Sequence, residues 1–395
     1  MQFDLQSPEF IANPYPTYAR LREQAPIYQL EPRAWLITRY QDVEYLLKSP
    51  RLNKDIPSMF NQRHGRDMSD EPVYRFHSNF WALMDLPHRR KLVVKALNAG
   101  KISELRVSVQ KSAEQLVDKW IDSKQADLMT VFACPLPIQV TCNMLNIELE
   151  QSLDFLEEIK LILRPGEPNL LTAVELDASN AAALRLDKFF REICQQRRKY
   201  PGEDLVSKFL AAEEDGERLS EDEVVCNLIM LFISGYGTTA NSLCNILRLL
   251  FIYPDQRKLL MAKPELLSCA VEEGLRFNSS AAVTFRTAIE SFEFNGVQIT
   301  NGDVIYLALD SANHDPEVFE EPDRFWIERP ALKKSLAFGH GSHYCLGAKL
   351  GAMEVEVALE TLFRRLPNLT IDNVDQLKWE PTWVLRGLES LPVRW

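Results

Sequence analysis

The sequence lacks a basic footprint. Its 45 Lys and Arg face 56 Asp and Glu, giving a formal net charge of −11 and a pI of about 5.3. Nucleic-acid binding needs clustered positive charge, so no nucleic-acid partner is expected. Cysteine is scattered singly at positions 134, 142, 194, 226, 244, 269 and 345. The odd count and the absence of paired spacings exclude a disulfide framework and fit a reducing cytoplasm. Met1-Gln2-Phe3-Asp4-Leu5-Gln6-Ser7 has neither a basic region nor an apolar run, so no signal peptide or membrane anchor is expected. Gly/Ser linkers, low-complexity tracts and repeats are missing too, and residues 1–395 read as one large domain.

Apolar and helical patterning is what the chain does have. Hydrophobic residues make up 46% of it, ample for a large core. Apolar spacings of three and four predict helices over 103–122, 149–163, 178–199 and 204–213. Trp35–Thr38, Val283–Phe285, Phe292–Phe294 and Val304–Leu307 read as strands, with Asn295-Gly296 as a hairpin turn. Residues 53–82 read as a polar, irregular loop, and Arg164–Pro168 as a break between helices. The fold class is mainly α with small β-sheets. Ser220 and Glu223 form a capping box, and Val224–Leu247 follows without one Asp, Glu, Lys or Arg. Length alone would suit a membrane span. Asn227, Ser234, Gly235, Gly237, Thr238, Thr239 and Asn241 make it instead the buried core helix of a soluble protein.

One cysteine stands apart, in Phe338-Gly339-His340-Gly341-Ser342-His343-Tyr344-Cys345-Leu346-Gly347-Ala348-Lys349-Leu350-Gly351. Gly339 and Gly341 allow sharp turns and close approach to a flat ligand. Cys345 precedes a predicted helix, whose N-terminus favours thiolate over thiol. An inert core cysteine would not need this glycine spacing. A structural zinc site would need a second Cys/His pair, and none is present.

The stretch resembles the haem-binding signature of the cytochrome P-450 superfamily, Phe-Gly-x-Gly-x-His-x-Cys-x-Gly-x-x-x-(Ala/Gly), and matches it at every specified position. The resemblance implies a triangular-prism fold with a long central helix over haem b, and Cys345 as the axial thiolate ligand of the iron. It implies that Phe338, Gly339, Gly347 and His343 shape the haem site and that Arg286 binds a propionate. Asp85-Leu86-Pro87-His88-Arg89-Arg90-Lys91 resembles the family's Asp-x-Pro-x-His-x-x-x-Arg with about three residues missing, which favours His88 with Arg90 as further haem contacts. Glu273 and Arg276, with Arg329 from Phe325-Trp326-Ile327-Glu328-Arg329, resemble the buried ion network under the ligand loop. Ser234-Gly235-Tyr236-Gly237-Thr238-Thr239 resembles the oxygen-binding motif. Gly235 and Thr238 match it, but Gly237 stands where the family carries an acid. Thr238, Thr239, Asn241, water or a substrate hydroxyl is then expected to carry protons, unless Gly237 merely bends or packs the helix.

The implied activity is monooxygenation: one atom of O2 enters an apolar substrate by hydroxylation or epoxidation. Electrons would come from NAD(P)H through a ferredoxin or flavodoxin, docked on Arg89, Arg90, Lys91, Lys95 and Lys349. Leu228, Ile229, Phe232, Ile233, Ala282, Val283, Trp383 and Val384 are the expected substrate contacts, suiting a polyketide or macrolide, terpenoid or lipid-like molecule. A haem-thiolate protein with peroxide-driven, isomerase or dehydratase chemistry, or a haem sensor, stays open.

Overall fold

The computed structural model describes residues 4–54, 59–61, 64–98, 102–150, 155–163, 171–214, 216–330 and 332–395. Ser220 accepts from the Glu223 N–H and Glu223 reaches back, closing the expected capping box. The helix it starts runs 32 residues, Glu221–Ile252. Its acidic first turn complements the helix dipole. Helices Pro72–Asp85, Pro135–Leu145, Ala173–Lys199, Leu267–Phe277 and Ala348–Arg365 pack around it. That encirclement explains the absence of charge. Among the described residues it is the one helix long and apolar enough to cross a membrane, and most of that stretch is packed inside the protein.

The main sheet has five strands in the order Ile27–Glu31, Ala34–Ile37, Val304–Ala308, Val283–Ala288 and Leu52–Asn53. Ala34–Ile37 and Val304–Ala308 run parallel and the remaining pairs antiparallel. The hairpin Phe292–Phe294/Val297–Ile299 turns through Asn295 and Gly296, both at positive φ, as a two-residue loop of this kind requires. The C-terminal segment makes isolated bridges, Ala281 with Leu385 and Trp379 with Leu388. Pro392–Arg394 then joins Thr370–Ile371 and Gln125–Asp127 in a separate sheet.

Residues 72–82, expected to be irregular, belong to helix Pro72–Asp85. Pro72 suits the first turn, and Val73, Phe76, Phe80, Leu83 and Met84 bury one face. The polar and aromatic residues between them hide this spacing in the sequence. Residues 55–58, Gln62, Arg63 and Arg164–Pro168 lie outside the described residues.

Helix Ala348–Arg365 carries a buried Glu354 whose Oε2 has no partner. Desolvation holds its carboxyl well above the ordinary range. A raised acid pKa keeps the proton in the native state while the unfolded chain releases it, so stability falls as pH rises above the unfolded value. Glu354→Gln should therefore raise the Tm at about pH 8 and leave it nearly unchanged at about pH 4. Thermal unfolding at both pH values checks this, and an equal shift at each would contradict it.

Candidate functional site

The central helix and the cysteine loop face each other across a cavity of about 180 Å³. Thr238, Thr239 and Ser242 line one side. Phe338, Gly339, His343 and Cys345 line the other, and Lys54, Thr284 and Arg286 close an edge.

The loop geometry follows from its glycines. Gly339 and Gly341 have φ of 71° and 73°, in the left-handed region that disfavours side chains. A Cβ on Gly341 would lie 2.8 Å from the Leu47 carbonyl oxygen. The Cys345 N–H donates to the Phe338 carbonyl at 3.0 Å, closing the loop just before helix Ala348–Arg365. Desolvation pushes the Cys345 thiol up, while the Gly347 N–H and Arg90 pull it down. The expected pull of the helix start toward thiolate is present in the Gly347 N–H, but burial outweighs it. A metal bound at this sulfur would supply the deprotonation, since a coordinating thiol loses its proton.

Arg286 is buried, and its Nη1 donates to the Phe285 carbonyl at 2.8 Å. Desolvation lowers its pKa to about 10, and Asp85 opposes that shift. His343 Nε2 sits 2.7 Å from Asp85 Oδ1 while its Nδ1 is buried without a partner. A cavity with a cysteine sulfur on one wall and desolvated basic groups at one edge fits a flat, dianionic metalloporphyrin.

Beneath the loop, Glu273 and Arg276 are wholly buried. Arg276 Nε and Nη2 bond Glu273 at 2.7 and 3.0 Å, and Arg329 Nε bonds the same carboxylate at 3.0 Å. The expected three-residue network is assembled.

Other expected residues lie elsewhere. His88 is half-exposed and faces Glu217 at 3.6 Å, so it does not reach the cavity. The helix Pro87–Asn98 directs it outward, toward the paired strands Glu213–Glu214 and Glu217–Arg218. Arg90 donates to the Tyr344 carbonyl at 2.6 Å, beside the cysteine loop and outside the cavity lining. Arg89 pairs with Glu223 at 3.5 Å and Lys95 donates to the Glu213 carbonyl, so part of the expected basic face is already partnered. Gly235 turns toward Thr141, whose Oγ1 would lie 3.2 Å from a Cβ there. Gly237 has open space around it. Thr238 donates to the Ser234 carbonyl at 3.0 Å. Leu228, Ile229, Phe232, Ile233, Ala282, Val283 and Trp383 join one buried apolar cluster with Val384 packed on it, and none lines the cavity. The four on the central helix sit roughly 8–15 Å along its axis from Thr238, at 1.5 Å per residue. Lys54 and Asp85 are site residues the sequence reading missed.

Fold and site define a haem-thiolate protein. The family model described as Cytochrome P-450 matches residues 27–392, and the chain belongs to that family. It is 36% identical to cytochrome P-450 107B1 of Saccharopolyspora erythraea, over 95% of this chain and 94% of that one. It is 34% identical to the polyketide biosynthesis cytochrome P-450 PksS of Bacillus subtilis, over 100% and 98% of the two chains. The solved structure of P450BioI with an acyl carrier protein ligated to hexadec-9Z-enoic acid superposes with a TM-score of 0.88 at 29% identity, covering 98% of this chain and 100% of that one. The chain is a cytochrome P-450 monooxygenase.

Proposed function

We propose that this enzyme inserts one oxygen atom from O2 into an apolar secondary metabolite, of polyketide, macrolide, terpenoid or lipid-like type. A ferredoxin or flavodoxin in the cytoplasm delivers electrons derived from NAD(P)H. The carrying observation is the cavity that sets Cys345 opposite Thr238 and Thr239. Relatives named for polyketide biosynthesis and for vitamin D(3) 25-hydroxylation support the substrate class. When bound, thiolate-ligated haem supplies oxygen activation, because the sulfur pushes electron density toward O–O cleavage.

The chain's own residues then divide the work. Cys345 and the loop around it would hold the iron, Arg286 and His343 would meet the propionates, and apolar Leu275, Ala281, Leu309 and Val355 would exclude water. Proton handling is the unusual part. The cavity's described lining holds no carboxylate, but it does hold the hydroxyls of Thr238, Thr239, Ser242, Ser279, Ser280 and Thr284. Thr238 Oγ1 can leave its 3.0 Å bond to the Ser234 carbonyl and turn its proton to the cavity. These groups, with water or a substrate hydroxyl, carry protons without an acid at 237. Gly237→Asp should therefore fold, since nothing lies within 4 Å of its would-be Cβ. It should leave the ratio of product to NAD(P)H consumed unchanged, and a large rise in that ratio would overturn the relay.

The same missing carboxylate favours the second reading, haem-thiolate chemistry without O2 activation. Turnover under isotopically labelled dioxygen separates the two. Label in the product, dependent on reductant, establishes monooxygenation. Unlabelled product formed without reductant establishes the alternative.

A further inference from the structure

We propose that Lys54 is a propionate-binding residue of the haem site and forms, with Arg286 and His343, one carboxylate-binding corner of the cavity. This rests on the reading that haem fills the cavity.

Backbone pairing places Lys54 there. It directly follows strand Leu52–Asn53, whose residues pair with Ala288 and Thr287 on the strand that carries Arg286. The side chain lines the cavity together with Arg286 and His343. Its Nζ lies 3.8 Å from the Trp81 ring centroid and 5.3 Å from that of Phe285. Two aromatic faces hold the ammonium in place without neutralising it.

Among the described residues the corner has a surplus of basic groups. Asp85 is the carboxylate that acts on all three of them, and it already takes the His343 Nε2 contact at 2.7 Å. Desolvation and the neighbouring Arg286 charge hold the Lys54 ammonium well below its usual pKa. Desolvated like charges at one edge call for an anion, because an unpaired buried charge is costly. Lys54 also supplies the further cation sought in His88 and Arg90, since His88 faces Glu217 and Arg90 donates to the Tyr344 carbonyl of the cysteine loop.

The shared chemistry is carboxylate binding, and an acidic substrate is the other possible source. The test compares wild-type holoenzyme with Lys54→Gln, Lys54→Met, Lys54→Arg and the exposed control Lys48→Gln. Haem loss to excess apomyoglobin and the haem reduction potential are measured for each. Loss of a charged hydrogen bond predicts about tenfold faster haem loss in Lys54→Gln and Lys54→Met. Their reduction potential should be more negative, since a nearby positive charge is gone. Lys54→Arg should restore most of both values, and Lys48→Gln should match wild type. Lys54→Met keeps an apolar stem against Trp81, so a folding failure of the glutamine variant leaves the test intact. Wild-type haem loss and potential in both variants would overturn the proposal. If binding of palmitate but not of hexadecanol, read by spin shift, weakened in those variants, the corner would belong to substrate. A wild-type protein that takes up no haem would refute the underlying reading instead.

Discussion

Arg276→Ala is expected to yield protein that is largely unfolded or free of haem. The guanidinium is fully buried and donates to Glu273 twice, to the Asn313 carbonyl at 2.6 Å and to the Pro322 carbonyl at 3.0 Å. Truncation leaves those acceptors dry and Glu273 short of a counter-charge. Breaking one side of a buried pair costs about 3–5 kcal/mol. That is a large share of the roughly 5–15 kcal/mol by which domains are stable. The damage also has a route to the ligand. Asn313, held through its carbonyl by Arg276, accepts the Leu336 N–H on its side chain at 2.7 Å. The Leu336 carbonyl takes the Gly339 N–H at 2.8 Å, and the Phe338 carbonyl takes the Cys345 N–H. One series of bonds thus ties the ion network to the sulfur. Urea unfolding and the ratio of haem to protein measure both effects. Arg276→Lys should recover only part of the loss, since an ammonium cannot reproduce the planar fork. A normal haem ratio in Arg276→Ala would contradict the assignment.

What could be read from the sequence was local or periodic. The cysteine loop is contiguous, and its glycines carry a backbone requirement that survives folding. The central helix announced itself by its capping box and by a long stretch without charge. Glu273 and Arg276 stand one helical turn apart, so they must share a face. What was hidden depends on long-range placement. Lys54 in Arg51-Leu52-Asn53-Lys54 reads as an ordinary loop lysine until the two-residue strand before it pairs with Val283–Ala288. Asp85 was read as part of a motif, but it matters as the partner of His343, far along the chain. His88 was misplaced because a shortened motif does not say which way its helix faces. The apolar residues named for the pocket do share one cluster, yet composition alone does not distinguish a packed face from an open one.

Cys345→Ala should separate chemistry from folding, the reverse of the Arg276 outcome. Cys345 is exposed to the cavity, and its backbone bond to Phe338 does not involve the side chain. Losing the thiol removes little packing, so the unfolding free energy of the haem-free chain should change by about 1 kcal/mol or less. The iron would lose its thiolate, the reduced protein under carbon monoxide would lose the thiolate-ligand absorption band, and turnover would fall to background. Cys194 and Cys226 provide the contrast. Both are buried, and burial pushes the Cys194 thiol up to about 11 and that of Cys226 higher still, as for inert core cysteines. Cys226→Ala should lower stability by roughly 1–3 kcal/mol through lost packing and keep the band intact. The two variants therefore move opposite readouts: Cys345 governs the spectrum and Cys226 the melting curve. A Cys345→Ala protein that kept the thiolate band would show that another residue ligates the iron, and the reading of the loop would fail with it.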